Sequence, residues 1–375
     1  MKTRRLFGRA FVAGAIQDDT LITLRDGAVA EVTQSATAPA DAFRTRGVIA
    51  PGFIDIHVHG GDGADFMDAD PRANARVIEF HARHGTTALA ATTLSASRAD
   101  LKKAAGAIAR TSSPRGAEIC GVHLEGPYIN RGRAGAQDRS SIRQADIEEL
   151  GLLIAAAPEL HWLMTLAPEI AGARELIEEF RGRVTFSIGH TGADHATAVA
   201  ALEWGASHFT HLFNAMTPLQ HREPGVVGAA LASADATAEL IADGIHVHPA
   251  VLRIAVRAMP HRIALVTDAI RACGMPDGTY KLYGYDVTVA DGSARLADGT
   301  LAGSVLTMCS AVENMVDLAG LPIELVLPLA TEVPARILGV HARKGRIARK
   351  FDGDLVVLDE KLRIEHVFVR GEKVS

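Results

Sequence analysis

The sequence predicts an α/β protein: a (β/α)8 TIM-type barrel with a small β-sandwich domain built from both chain ends. Three observations predict it. Between Pro51 and Ala335, eight apolar strand-like runs recur, each followed by a stretch of helical character, the alternation of a parallel barrel. Residues 1–50 and 336–375 instead break at Gly and Asp into short strands with no long helical pattern. Several of the eight runs also carry His, Glu or Asp near their C-terminal ends. Strands of a parallel barrel are buried on both faces and should be apolar, and that end is where barrel enzymes place their sites. The expected domains are therefore 1–50 and 336–375, pairing into one small β-domain, and 51–335, the barrel.

Composition supports this. A chain of 375 residues is too long for one small module and suits a barrel of roughly 250 residues with an addition. With 48% hydrophobic and 22% charged residues it is no disordered chain. Lys plus Arg number 39 and Asp plus Glu 44, a net charge of −5, which argues against a general affinity for nucleic acid or anionic membranes. Three scattered cysteines, Cys120, Cys273 and Cys309, make neither a disulfide framework nor a zinc finger. No apolar run approaches the length of a membrane span. The basic N-terminus leads into LFGRAFVAGAI, but Arg9 interrupts the apolar stretch and strands follow. A cytoplasmic location is expected.

Taken in order, AFVAGAI, LITLRDG and GAVAEVTQ read as the first strands of the β-domain, and GRIARKF, GDLVVLD and RIEHVFVRGEKV as its last. The barrel strands are FIDIHVHG, TTALAATTL, ICGVHLEG, HWLMTLAPE, VTFSIGH, ASHFTHLFN, AELIADGIHV and IALVTDA. Between them ADIEELGLLIAAA places Ile147, Leu150 and Ile154 on one helical stripe. ADHATAVAALEWG runs as a helix from a capping Asp194 to Gly205. Tyr280 to Leu301, with two Asp-Gly turns, reads as a hairpin inserted after strand eight.

The polar residues inside those strands carry the chemistry. Asp55, His57 and His59 share one face of the first strand. The two imidazoles either chelate a metal or are satisfied core histidines. Glu125 ends the third strand before a Gly-Pro break, and a lone buried carboxylate is costly unless paired or metal-bound. His123, on the same face, is a partner of a ligand or a packing residue. His190 and His211 follow strands five and six, and Asp268 ends strand eight. If the barrel forms, these residues converge on one ring. Imidazoles with a carboxylate suit a divalent metal, namely zinc, iron, manganese or cobalt. Such an ion acidifies bound water, and Asp268 could take the proton and pass it to a leaving group: metal-assisted hydrolysis. Asn214 and Ala215 follow His211, where backbone N–H groups at a strand-to-helix turn bind anions. His246 ends strand seven. Arg222, by itself, reads as an exposed surface charge.

PGFIDIHVHG, HLEGPYIN, SIGHT, THLFNAMTPLQHREPGVVGA, ADGIHVHP, LVTDA and LAGSVLTM occur in the order found in N-acetylglucosamine-6-phosphate deacetylases of the amidohydrolase superfamily, which the chain resembles over essentially its whole length. The resemblance implies a primary metal held by Glu125, His190 and His211. It also implies a second metal at His57 and His59 bridged by Glu125, and Asp268 as base then acid. It assigns sugar-phosphate binding to Asn214, Ala215, His246 and an Arg of the neighbouring subunit, here Arg222, so that a homodimer is expected. One departure stands out. Many members have a His after Gly-Ala or Gly-Thr that polarises the acetyl carbonyl, whereas this chain has Gln137, which donates a hydrogen bond without positive charge. The expected reaction is deacetylation of N-acetyl-D-glucosamine 6-phosphate. The galactosamine epimer or another N-acylamino sugar is the close alternative. A different amidohydrolase, such as an N-acyl-amino-acid hydrolase, dihydroorotase or base deaminase, typically uses a carbamylated Lys on a barrel strand or a different loop set, and no Lys lies in the strands above. A non-catalytic homologue should have lost ligands that this chain keeps.

Overall fold

The computed structural model describes residues 3–375. Eight strands follow one another around one parallel sheet: β1 (Phe53–Val58), β2 (Thr86–Thr93), β3 (Glu118–Glu125), β4 (His161–Leu166), β5 (Val184–Ile188), β6 (His208–Phe209), β7 (Thr237–Ile241) and β8 (Ile263–Val266). The ring closes just past β8. The N–H groups of His59 and Gly60 both donate to Ala269 O at 2.9 Å, and the Asp268 N–H donates to His57 O at 2.8 Å. This seam sets Asp268 beside the histidines that follow from β1.

The strands are buried along almost their entire length, as strands covered on both faces must be. β6 is shorter than its sequence suggests. The run from Ala206 to Asn214 pairs only through His208 and Phe209. Thr210 still donates its N–H to Ile188 O at 3.1 Å and turns its hydroxyl to Thr165 and Ser187, each at 2.6 Å, and the chain then turns at His211, whose φ is 28°. The helices sit where their caps place them. Asp194 accepts from the Thr197 N–H at 2.8 Å to open His195–Trp204, which ends at Gly205 with φ 129°. In Ile147–Ala156 the buried stripe is Leu150 and Leu153, while Ile147 is exposed.

Both chain ends enter one seven-stranded sheet. Its central strand, Phe43–Pro51, lies between Thr3–Val12, with which it runs parallel, and Leu355–Leu358, which it opposes. The sheet curls until Val29 exchanges backbone bonds of 2.8 Å with Phe351 and Lys350. It thereby encloses Leu6, Ile22, Leu24, Ile49, Leu355 and Phe368 in a core of its own. After β8 a separate antiparallel sheet forms from Gly278–Leu282, Tyr285–Ala290 and Ser293–Arg295. It has three strands where a hairpin was expected, because Val287 and Val289 find a further partner in Ala294 over a small core with Ile270 and Ala302.

Candidate metal centre at the barrel mouth

The strand ends bring six predicted residues together. His190 Nε2, His211 Nε2 and Glu125 Oε1 form a triangle with sides of 3.0, 3.1 and 3.1 Å. His57 Nε2 and His59 Nε2 lie 3.3 Å apart. His57 Nε2 is 3.4 Å from Glu125 Oε1, and His59 Nε2 is 3.3 Å from Glu125 Oε2. Asp268 Oδ1 stands 3.2 Å from His59 and 3.5 Å from His57. Glu125 therefore faces both histidine pairs. All six are buried, Glu125 at 3% and Asp268 at 8% exposure.

The tautomers of two rings follow from their other nitrogens. His190 Nδ1 lies 2.7 Å from Arg133 O, and a carbonyl only accepts, so Nδ1 carries the proton. His57 Nδ1 meets Glu239 Oε2 at 2.8 Å with the same consequence. When neutral, each ring thus turns an Nε2 lone pair toward Glu125. Lone pairs packed against a carboxylate repel one another unless a cation lies between them, and imidazoles with a carboxylate are the donors a divalent metal takes. The groups fit a metal in two places, Glu125–His190–His211 and His57–His59–Glu125. Without one, the cluster holds protons instead. Burial would lower His59, but Asp268 and Glu125 push it up to about 9. Burial would raise Glu125, but the His57 and His190 charges hold it well below the usual carboxylate range. Asp268 is lowered likewise by His57 and His59 against the effect of burial, so it is ionised.

A second layer was less legible. His123 donates from Nδ1 to Ile56 O at 3.0 Å and accepts from Thr165 Oγ1 at 2.7 Å, so neither nitrogen is left for a metal. Asp55 is turned from the mouth to Thr267, whose hydroxyl donates at 2.6 Å, and burial raises its pKa to about 7. Sequence reasoning missed Glu239, a carboxylate in the otherwise apolar AELIA run, which is where a signal lay. Gln137 lines the cavity, but its polar atoms are engaged. Its amide oxygen accepts from the Ser95 N–H at 2.6 Å, and its amide nitrogen donates to Glu125 Oε2.

Above the cluster opens a cavity of about 500 Å³. Asn214, Ala215 and His246 line it. The Asn214 N–H is spent on His211 O at 3.0 Å. The Ala215 N–H, at φ 51°, has no protein acceptor among the described residues. Burial would lower His246, but Asp243 Oδ2 at 2.6 Å from its Nδ1 raises it. Arg133 and Arg295 add positive charge to the lining. Arg222 is exposed and lies outside this cavity.

A closed parallel barrel with four histidines and two carboxylates gathered at its C-terminal mouth is a hydrolase of the amidohydrolase type. The family model described as the amidohydrolase family matches residues 48–374. The chain belongs to that family, and within it to the N-acetylglucosamine-6-phosphate deacetylases. It is 40% identical over 341 residues to the N-acetylglucosamine-6-phosphate deacetylase of Bacillus subtilis, covering 89% of this chain and 85% of that one. It is 37% identical to an N-acetylgalactosamine-6-phosphate deacetylase of Escherichia coli O157:H7, covering 96% and 95%. A mutant N-acetyl-D-glucosamine-6-phosphate deacetylase of Mycobacterium smegmatis, solved in complex with N-acetyl-D-glucosamine-6-phosphate, superposes with a TM-score of 0.94 at 35% identity over 100% of both chains. No helix of the described residues is long and apolar enough to cross a membrane.

Proposed function

We propose that this enzyme removes the acetyl group of N-acetyl-D-glucosamine 6-phosphate, giving D-glucosamine 6-phosphate and acetate, in the cytoplasm. The observation that carries the reading is the meeting of Glu125, His190 and His211 within 3.1 Å of one another beneath a cavity whose lining includes Arg133 and Arg295. Glu125, His190 and His211 would hold a divalent ion, with zinc the best match to the donors, and His57 and His59 together with Glu125 would offer a place for a second. When bound, such ions acidify water and polarise a carbonyl. The chain's own residues do the rest. Asp268, ionised and within reach of the shared space, takes a proton from the attacking water at its carboxylate. It then delivers that proton to the leaving amine nitrogen. Gln137 steadies Glu125 from one side, so its effect on the acetyl group passes through that carboxylate. The Ala215 N–H and His246 bind the phosphosugar from the chain's own cavity, with Asn214 holding the turn between them and His211. Arg222 serves the cavity of a neighbouring subunit in a homodimer.

The galactosamine epimer is kept as a second reading because one relative, covering 95% of its own length, carries that name. A panel of N-acetylglucosamine and N-acetylgalactosamine, each with and without 6-phosphate, tests both. The expected result is the highest kcat/KM for N-acetylglucosamine 6-phosphate, with at least a tenfold loss on removing the phosphate, since a charge-assisted bond contributes roughly 1.5–3 kcal/mol. A preference for the galactosamine ester would transfer the assignment to that epimer. Equal rates without phosphate would remove the phosphosugar from it.

A further inference from the structure

Among the buried acids that do not face the cavity, Glu239 is the one bonded to two of the residues at the metal centre. Glu239 lies within β7, is 0% exposed, and does not line the cavity. Its Oε2 accepts from His57 Nδ1 at 2.8 Å and from the backbone N–H of His211 at 2.9 Å. Its Oε1 is 3.3 Å from His208 Nε2, whose other nitrogen meets Thr237 Oγ1 at 2.7 Å. An ionised carboxylate at this depth is tolerated only with such partners. His57, His123 and Glu239 also lie close enough together to suggest a metal group of their own, but His123 has no lone pair to give it.

Two of those contacts reach the two halves of the metal centre. The first settles the proton on His57 Nδ1, which leaves the Nε2 lone pair directed at His59 and Glu125. A carboxylate behind an imidazole also makes it a more basic ligand. The second pins the backbone of His211, which sits at φ 28°, a conformation that a non-glycine residue holds only when its surroundings enforce it. We propose that Glu239 is a positioning residue for both halves of the centre, fixing the tautomer of His57 and the turn that presents His211. This rests on the metal reading above.

The test is metal affinity, measured by titrating the metal-stripped protein with zinc against a chromophoric chelator, alongside its thermal unfolding. Glu239→Gln keeps the shape and removes the charge. It should weaken zinc binding by about 10–100-fold, the usual effect of losing a partner behind a ligand. His208→Gln disturbs the same buried cluster but leaves the two decisive bonds, so its zinc affinity should stay near wild type even where its stability falls. Equal zinc affinity in wild type and Glu239→Gln would overturn the inference while leaving the metal reading intact. A wild type that binds no divalent ion would overturn both. If Glu239→Gln does not fold, histidine ¹⁵N resonances of the zinc-loaded wild type decide: His57 protonated on Nδ1 alone supports the inference, and protonation on Nε2 overturns it.

Discussion

Asp268 holds a left-handed backbone conformation, with φ 51°, and so do His190 at 46°, His211 at 28° and Ala215 at 51°. Each such residue costs about 1–2 kcal/mol unless neighbouring bonds enforce it. For Asp268 they do: its N–H donates to His57 O and its carbonyl accepts from Ser304, both at 2.8 Å. Asn tolerates this conformation better than most residues, so Asp268→Asn should keep the fold and the metal while losing the base. The kcat should fall at least about 10²-fold, with metal content by elemental analysis unchanged. A near-wild-type kcat would remove Asp268 from the chemistry. The meeting of His57, His59, Glu125, His190, His211 and Asp268 was legible because each is a polar residue at the end of an otherwise apolar strand. Glu239 stood out as a carboxylate in an apolar run, but it lies mid-strand rather than at a strand end, and its partner His57 is 182 positions away, so its role was not legible. The engagement of Gln137 with Ser95 and Glu125 was hidden for the same reason, since the residues lie on different loops and strands.

Elements were legible where both ends were marked, as for His195–Trp204 between Asp194 and Gly205, and less so where the backbone left the extended conformation, as at His211 with φ 28° after β6. The segment after β1 shows how a helix supports a strand end. His81, on the helix Pro71–Arg83, is fully buried and donates from Nε2 to Gly60 O at 2.9 Å, directly after the His57/His59 pair. A Cβ on Gly61 would come within 3.0 Å of that ring and 2.7 Å of Phe80, so the turn needs glycine there. Burial lowers the pKa of His81 to about 4. A histidine depressed in the folded state contributes stability that is present above its unfolded value near 6.5. That stability is lost as pH falls through about 4. The loss amounts to something on the order of 3 kcal/mol. His81→Gln keeps a donor for Gly60 O without a proton to gain. Urea unfolding of the metal-stripped protein should therefore show a shallower decline between pH 6.5 and 4 for the variant than for wild type. Parallel declines would mean that His81 is not the titrating group.

On the scale of the whole molecule, the barrel floor and the terminal sheet are tied by charge. Lys344, 3% exposed, meets Glu118 of β3 at 2.9 Å and Asp352 at 2.8 Å, and also bonds Asp354. Burial would raise Glu118, but Arg343 and Lys344 pull it down to about 2. Such a cluster ties the C-terminal stretch to the start of β3, at the end of the strand opposite Glu125. Arg222 lies on the loop that continues from Asn214 and Ala215, exposed, next to Leu219 at 55% exposure. It does not line its own cavity, and the proposed homodimer would bring it to the phosphate of a neighbour's substrate. Arg–phosphate contacts are charge-assisted and often bidentate. Arg222→Ala should therefore raise KM for the phosphosugar at least about tenfold, and leave KM for the unphosphorylated sugar little changed. Mixing Arg222→Ala chains with Asp268→Asn chains supplies the discriminating measurement. In a mixed dimer, the site built on the Arg222→Ala chain keeps its own Asp268 and borrows the partner's intact arginine, while the other site lacks both groups. Random exchange should restore activity to about a quarter of the wild-type sites. If mixed dimers, confirmed by differential tagging, recover nothing, Arg222 does not act across the interface.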